Sequence, residues 1–292
     1  MPRPLDIIVA KIKTDKYTWV RDEPTDDDLS HILKQGRQSP SPFDPLNLRE
    51  QVFNDLQAGK AKLMCKSGLL GTAKVLAIVY PDTKIPWELF GRIFSAFGSS
   101  KTKPWRVIWF AHPRKREFPL TQTTNTIKAN TLNSSLHNEE NQPIQPVHIN
   151  GGYAYACAPE TIVIYREEEA ARVLVHELLH AACTDDMNKP EEVREVLTES
   201  WAEVFLVAIL AKGSLAKAKK LWAIQAQWIV DQETVLKGDY NVLGPLNYAW
   251  RYTVGRRGVL ERMGLRFPAP SADPMFMLGG SLRFTSPSLT LD

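Results

Sequence analysis

Cysteine is scarce in this chain. Only Cys65, Cys157 and Cys183 occur in 292 residues, an odd number at wide spacing, which does not fit the dense disulfide framework of a small secreted domain. A reducing compartment is therefore expected, with the protein intracellular, cytoplasmic or nuclear. Long hydrophobic runs are missing too. The N-terminal "MPRPLDIIVAKIK" holds an apolar run of about six residues before a lysine, too short for a signal peptide. No later stretch approaches the eighteen apolar residues of a membrane span. Nor is there strong charge of one sign: Lys and Arg total 36 against 33 Asp and Glu, a net charge of +3. The basic clusters at Arg114, Lys115, Arg116 and at Lys217, Lys219, Lys220 are short and far apart. That pattern describes a solvated surface and argues against a nucleic-acid partner. Nothing in it sets the oligomeric state.

What is present is enough apolar sequence, 43%, to build the core of a soluble domain. Short β-branched or aromatic runs, "LDIIVAKI", "KYTWV", "KVLAIVY", "RVIWFAH", "GGYAYAC" and "TIVIY", all precede residue 167 and read as strands. Among them "IPWELFGRIFSAFG" repeats its apolar residues at helical spacing. From residue 167 the chain reads as successive helices, about 167–183, 190–212, 214–236 and one from about 245. The expected fold is α+β: a mixed β-sheet with a backing helix in the N-terminal half, a mostly α-helical C-terminal half, and a cleft between them. The organisation expected is an α/β region at 1–118, a polar loop or flap at 119–147, a core at 148–266 and an irregular tail at 267–292.

One helix carries chemistry. "VLVHELLHAACTDD", residues 173–186, sets His176 and His180 one turn apart with Glu177 directly after the first. Two imidazoles on one rigid face are what a tetrahedral metal needs, and a glutamate beside them suits a base that takes a proton from a water. A third ligand is required. Glu199, in "EEVREVLTESWAEVF", follows His180 after eighteen residues on a second helix. Glu203, four residues on, shares its face and suits the free ring nitrogen of a ligating histidine. Asp186 competes, because "HELLHAACTDD" also reads as HExxHxxCxxD. A glycine would ease the sharp turn such a pattern needs; Cys183 stands there instead, and a side chain resists positive φ. Cys183 itself reads as a small buried residue rather than a ligand.

These motifs resemble the gluzincins, zinc peptidases in which HExxH is followed on a later helix by a ligating glutamate. "LTESWAE" is similar to their "NEGFAE"-like segment, and the resemblance spans about residues 150–263. It implies a zincin-like fold, one zinc ion per chain held by His176, His180 and Glu199, and Glu177 as general base. It also implies a strand bordering the cleft that pairs with the substrate backbone, where "NGGYAYA" lies, with Gly151, Gly152 and Tyr153 contacting substrate. "GGYAY" resembles the GGMEN strand of the aminopeptidase branch but has Ala154 and Tyr155 at its fourth and fifth positions. The glutamate that grips a free substrate amine is thus missing. "NYAWRYTVGRRG" is similar to the YxKG helix and puts Tyr252 where a phenol would face the oxyanion; Arg251, Arg256 and Arg257 nearby suit either a carboxylate or a basic surface. The expected activity is zinc-dependent peptide hydrolysis on a peptide or protein substrate. Two alternatives are a metzincin-like protease using Asp186 and a zincin-fold binding protein that no longer cleaves.

Overall fold

The structure is a computed structural model, and it describes residues 3–12, 16–119 and 143–289. Its elements run α1 (Pro4–Lys11), β1 (Trp19–Arg21), α2 (Asp26–Arg37), α3 (Leu48–Gln57), β2 (Lys62–Gly68), β3 (Ala73–Val79), α4 (Trp87–Phe97), β4 (Trp105–Phe110), α5 (Pro146–Ile149), β5 (Gly152–Ala154), β6 (Ile162–Ile164), α6 (Ala170–Ala181), α7 (Glu191–Ala211), α8 (Leu215–Gly238), α9 (Tyr248–Tyr252), α10 (Val254–Arg262) and α11 (Pro274–Leu278). The strands form one mixed six-stranded sheet in the order β1-β2-β3-β4-β6-β5. β3, β4 and β6 are parallel; β1, β2 and β5 run antiparallel to their neighbours.

Strand periodicity explains why both faces are covered. In β3, Val75, Ala77 and Val79 enter one core while Leu76 and Ile78 enter another, as alternate residues of a strand must. The second core is closed by Ile32 of α2 and by Leu48, Val52 and Phe53 of α3. The first is closed by Leu89, Phe90, Ile93 and Phe94 of α4 together with α6 and α7. Burying one such side chain contributes roughly 1.5–3 kcal/mol, so a sheet lined on both sides is a rigid platform. α6 packs against β5 and β6 on one side and against α7 on the other, which sets the HExxH helix beneath the edge of the sheet.

Several expectations need correction. "LDIIVAKI" is not a strand but α1: Pro4 opens it, Asp6 sits in its first turn, and Leu5 and Val9, one turn apart, are buried, a pattern that favours a helix start. α1 packs on α7 and α8. The structure adds the helices α2 and α3 and the strand β2; α2 has few apolar residues and is fixed by a capping box between Thr25 and Asp28. The boundary at residue 118 cuts through the sheet, since β4 pairs with β6 across it. Of the loop expected at 119–147, residues 120–142 lie outside the described residues. The tail is mostly irregular, with the short α11, yet it reaches inward: Phe284 and Thr285 donate their N–H groups to Glu169 at 3.0 and 2.7 Å. Among the described residues no helix is long and apolar enough to cross a membrane.

The cysteines also depart from expectation. Cys157 and Cys183 are joined by a disulfide and both are exposed; Cys65 is free and buried. Spacing along the chain does not reveal this pair, because the loop after β5 returns to the end of α6, where the Cys157 N–H donates to the His180 carbonyl at 3.1 Å. The cysteine count therefore no longer argues for a reducing compartment.

Candidate metal centre

Every residue of α6 from Ala170 to Ala181 is buried. Charged and polar side chains on such a helix are strongly destabilising unless paired, and α6 carries Arg172, His176, Glu177 and His180. Arg172, His176 and His180 recur at one-turn spacing on one face. The face they present is met by α7, whose Glu195, Glu199 and Glu203 recur at the same spacing.

Three donors converge. His176 Nε2 and His180 Nε2 lie 3.0 Å apart, Glu195 Oε2 is 3.5 Å from the first, and Glu195 Oε1 is 3.6 Å from the second. A tetrahedral zinc with bonds of about 2.0–2.1 Å sets its ligand atoms about 3.4 Å apart. Glu195 turns a different oxygen to each imidazole, and one ligand atom from each of the three residues lies within 4.8 Å of the others, a spacing that a small adjustment of the carboxylate would bring to that value. Carboxylates also stand at the other ring nitrogens: His180 Nδ1 is hydrogen-bonded to Asp185 Oδ2 at 2.7 Å, and His176 Nδ1 is 3.0 Å from Glu199 Oε1 without hydrogen-bond alignment. Carboxylates in that outer position fix the tautomer and orientation of metal-binding imidazoles. Asp185 is held in turn by Thr198 Oγ1 at 3.2 Å, and Glu199 by Arg172.

The electrostatics follow from burial against these carboxylates. Burial opposes charge on His176, but Glu199 and Glu195 outweigh it and hold its pKa well above the usual imidazole value. Burial likewise opposes charge on His180, where Asp185 and Glu195 prevail and raise it to about 9. Glu195, despite burial, is held far below its usual pKa by the two histidines. Such a cluster of anions around two imidazoles is a place for positive charge. Glu177 differs. It makes no hydrogen bond or ion pair among the described residues, and burial, only partly offset by the histidines, raises its pKa to about 7.

Above the histidines runs β5, the last strand of the sheet. Tyr165 N–H donates to the Gly151 carbonyl at 2.8 Å. In an antiparallel pair hydrogen-bonded positions alternate, so with Gly152 opposite Ile164 and Ala154 opposite Ile162 the N–H and C=O groups of Gly152 and Ala154 point away from β6, to the open edge. Gly152 has no room for a side chain. A Cβ there would lie 2.5 Å from Val173, 2.7 Å from the Val163 carbonyl and 3.2 Å from Glu177, so the strand passes directly over the glutamate. Gly151 gives its space to the guanidinium of Arg116.

The cleft of about 90 Å³ is lined by His176, Glu177, His180, Glu195, Glu199, Gly151, Gly152, Tyr153 and Tyr252, among others. It thus gathers every residue expected at the site except Glu203 and Asp186. On α7 the contacts fall one turn earlier than the expected residues. Glu195, not Glu199, meets the two Nε2 atoms; Glu199, not Glu203, meets the outer nitrogen of His176. Glu203 is fully buried one turn further on and pairs with Arg256 at 3.0 Å. The reason is the register in which α7 lies on α6, a property of packing rather than of either sequence. Asp186 is exposed and pairs with Lys189 at 3.5 Å. The sharp turn after α6 does occur, with Cys183 at φ 60°, but it returns Asp185, and it returns it to the outer side of His180.

Tyr252 borders the cleft, and burial followed by the charge of Glu195 holds its phenol well above its usual pKa, so it stays a neutral donor. Tyr153 contributes differently than expected: its ring belongs to the core on the far side of the sheet and stacks on Phe43 at 5.3 Å. Arg251, Arg256 and Arg257 are all engaged, with Glu191, Glu203 and Glu233 respectively. The residues missed are Glu195, Asp185, Arg172 and Arg116. Glu195 and Arg172 carry a legible signal, each standing one turn before an expected ligand, at Glu199 and His176. Comparison with protein-family models, with curated proteins and with solved structures gives no match for this chain.

Proposed function

We propose that this chain is a zinc-dependent peptidase of zincin-like architecture. The observation that carries the proposal is the convergence of His176 Nε2, His180 Nε2 and Glu195 at 3.0, 3.5 and 3.6 Å, with Glu177 alongside in the same cleft. Three protein donors are what a catalytic zinc uses, whereas a structural zinc takes four. The gluzincin resemblance keeps its outline, with Glu195 rather than Glu199 as the glutamate from the later helix. Zinc bound there would supply Lewis acidity, polarising a carbonyl and lowering the pKa of a water.

The chain's own residues supply the rest. Glu177, beside His176 and His180 in the cleft, is placed to accept a proton from the attacking water and to pass it to the departing amine. Glu199 and Asp185 hold the two imidazoles in register. Tyr252 offers an O–H to negative charge developing on the carbonyl oxygen. The outward N–H and C=O groups of Gly152 and Ala154 suit an extended polypeptide, which would add to the sheet as a further strand. This last feature favours a peptide over a small-molecule substrate.

The test is direct. Zinc-loaded protein incubated with a mixed peptide library should yield cleavage products by mass spectrometry, vanishing on chelation and returning with zinc. Absence of any product from protein carrying stoichiometric zinc would contradict the proposal.

A further inference from the structure

Arg116 lines the cleft and is 1% exposed. Its Nε donates to the Ile149 carbonyl at 2.8 Å, and its Nη1 to the Glu168 carbonyl and Glu169 Oε2, both at 3.3 Å. Its Nη2 has no acceptor among the described residues. The carboxylates nearby are already taken: Glu169 accepts the backbone N–H groups of Phe284 and Thr285, and Glu168 Oε2 accepts the backbone N–H of Arg116 at 2.6 Å. Arg172, the other guanidinium lining the cleft, repeats the pattern: Glu199 holds its Nη2 while its Nε has no acceptor. Both guanidiniums stand over the ring of Phe284, at 5.0 and 5.9 Å from its centroid. Buried guanidinium donors are ordinarily satisfied, and one left over beside a cleft calls for a partner.

We propose that this end of the cleft binds a carboxylate of the substrate, with Arg116 Nη2 as its donor, so that Arg116 sets specificity. The inference rests on the peptidase proposal for the identity of the substrate but not on turnover. The carboxylate has two sources in a peptide: an Asp or Glu side chain, or the C-terminus. Val173, on the same turn of α6 and beneath Gly152, gives the chosen residue an apolar wall, and Phe284 gives it a floor.

The experiment uses zinc-loaded full-length Glu177→Gln protein as a binder and three labelled peptides of one sequence. One has an internal Glu and an amidated terminus, one an internal Gln and a free terminus, and one an internal Gln and an amidated terminus. Fluorescence anisotropy should show at least about tenfold tighter binding of one carboxylate peptide over the all-amide peptide, charge-assisted bonds to a planar fork being selective. Which peptide gains identifies the source. Adding Arg116→Gln should collapse that ratio towards one, and Arg116→Lys should restore only part of it; melting curves show that each variant is folded. Equal binding, or none, of all three peptides by the protein with Arg116 intact overturns the inference, as does a preference that survives in folded Arg116→Gln protein. A preference found in protein whose Glu177-containing form cuts nothing sinks the peptidase proposal and leaves the carboxylate site standing.

Discussion

Exchanging the two glutamates of α7 that face the histidines tests the geometry where it departs from expectation. Glu195→Ala removes one of three converging donors, whose two oxygens stand 3.5 and 3.6 Å from the imidazole nitrogens of His176 and His180. Glu199→Gln leaves all three and removes the negative charge 3.0 Å from His176 Nδ1, along with its ion pair to Arg172. Loss of an outer carboxylate weakens metal binding by about 10–100-fold. Zinc held by four protein ligands is bound by about 10–16 kcal/mol, so one ligand's share is on the order of 3 kcal/mol and its loss weakens binding by more than about a hundredfold. Competition against a chromophoric chelator gives both affinities, with zinc content after dialysis as a check. Arg172 is paired to Glu199 in the core, so melting curves must show that Glu199→Gln is folded. A Glu195→Ala protein that keeps zinc within tenfold of the parent, beside a folded Glu199→Gln protein that loses it, would refute the assignment.

Three further outcomes are expected. Asp185→Asn should weaken zinc binding by about 10–100-fold, since Asp185 is the outer partner of His180 at 2.7 Å; an unchanged affinity would remove it from the site. Gly152→Ala should lower stability by about 1–3 kcal/mol in denaturant unfolding, because its Cβ would press on Val173 and on the Val163 carbonyl at 2.5 and 2.7 Å; a neutral effect would show that β5 does not lie so close to α6. Asp28 closes the capping box of α2 and pairs with Lys74 at 2.7 Å. Burial opposes its charge, but Lys74 and Thr25 prevail and hold its pKa below 3.8. A depressed folded pKa means that the ionised group stabilises above the unfolded value and loses that contribution as pH falls through the folded one. Asp28→Asn should therefore cost about 1–2 kcal/mol near neutral pH, with the gap in melting temperature closing below about pH 3.8; a gap independent of pH would contradict this.

Legibility in the sequence followed how local each feature is. α6 is readable because its evidence lies within one helix: apolar residues throughout, and His176, Glu177 and His180 at fixed spacing. β3 and β4 are readable because strands buried on both faces are continuous apolar runs. "GGYAYAC" reads as a strand by itself, but the placement of β5 over the cleft and of Tyr252 beside the histidines is expected only through resemblance, since "GGYAY" alone does not say what crosses it. The spacing marks the glutamates at 195, 199 and 203 as candidates on one face, but which of them meets the histidines is not legible, because sequence alone does not set how far α7 slides along α6. The disulfide is hidden for a similar reason: Cys157 and Cys183 are brought together by a loop that folds back on the end of α6. Misreading α1 as a strand came from its β-branched residues, which tertiary packing on α7 and α8 overrides.

The claim that joins site to function is that Glu177 moves the proton. Glu177→Gln keeps the shape of the side chain and removes the base. Peptide-library cleavage by the parent and by Glu177→Gln, each with its zinc content measured, should show about one zinc per chain in both and a rate at least about a hundredfold lower in the variant. Cleavage at the parent's rate by the zinc-loaded variant would contradict the mechanism, and loss of zinc along with activity would make Glu177 a structural residue instead.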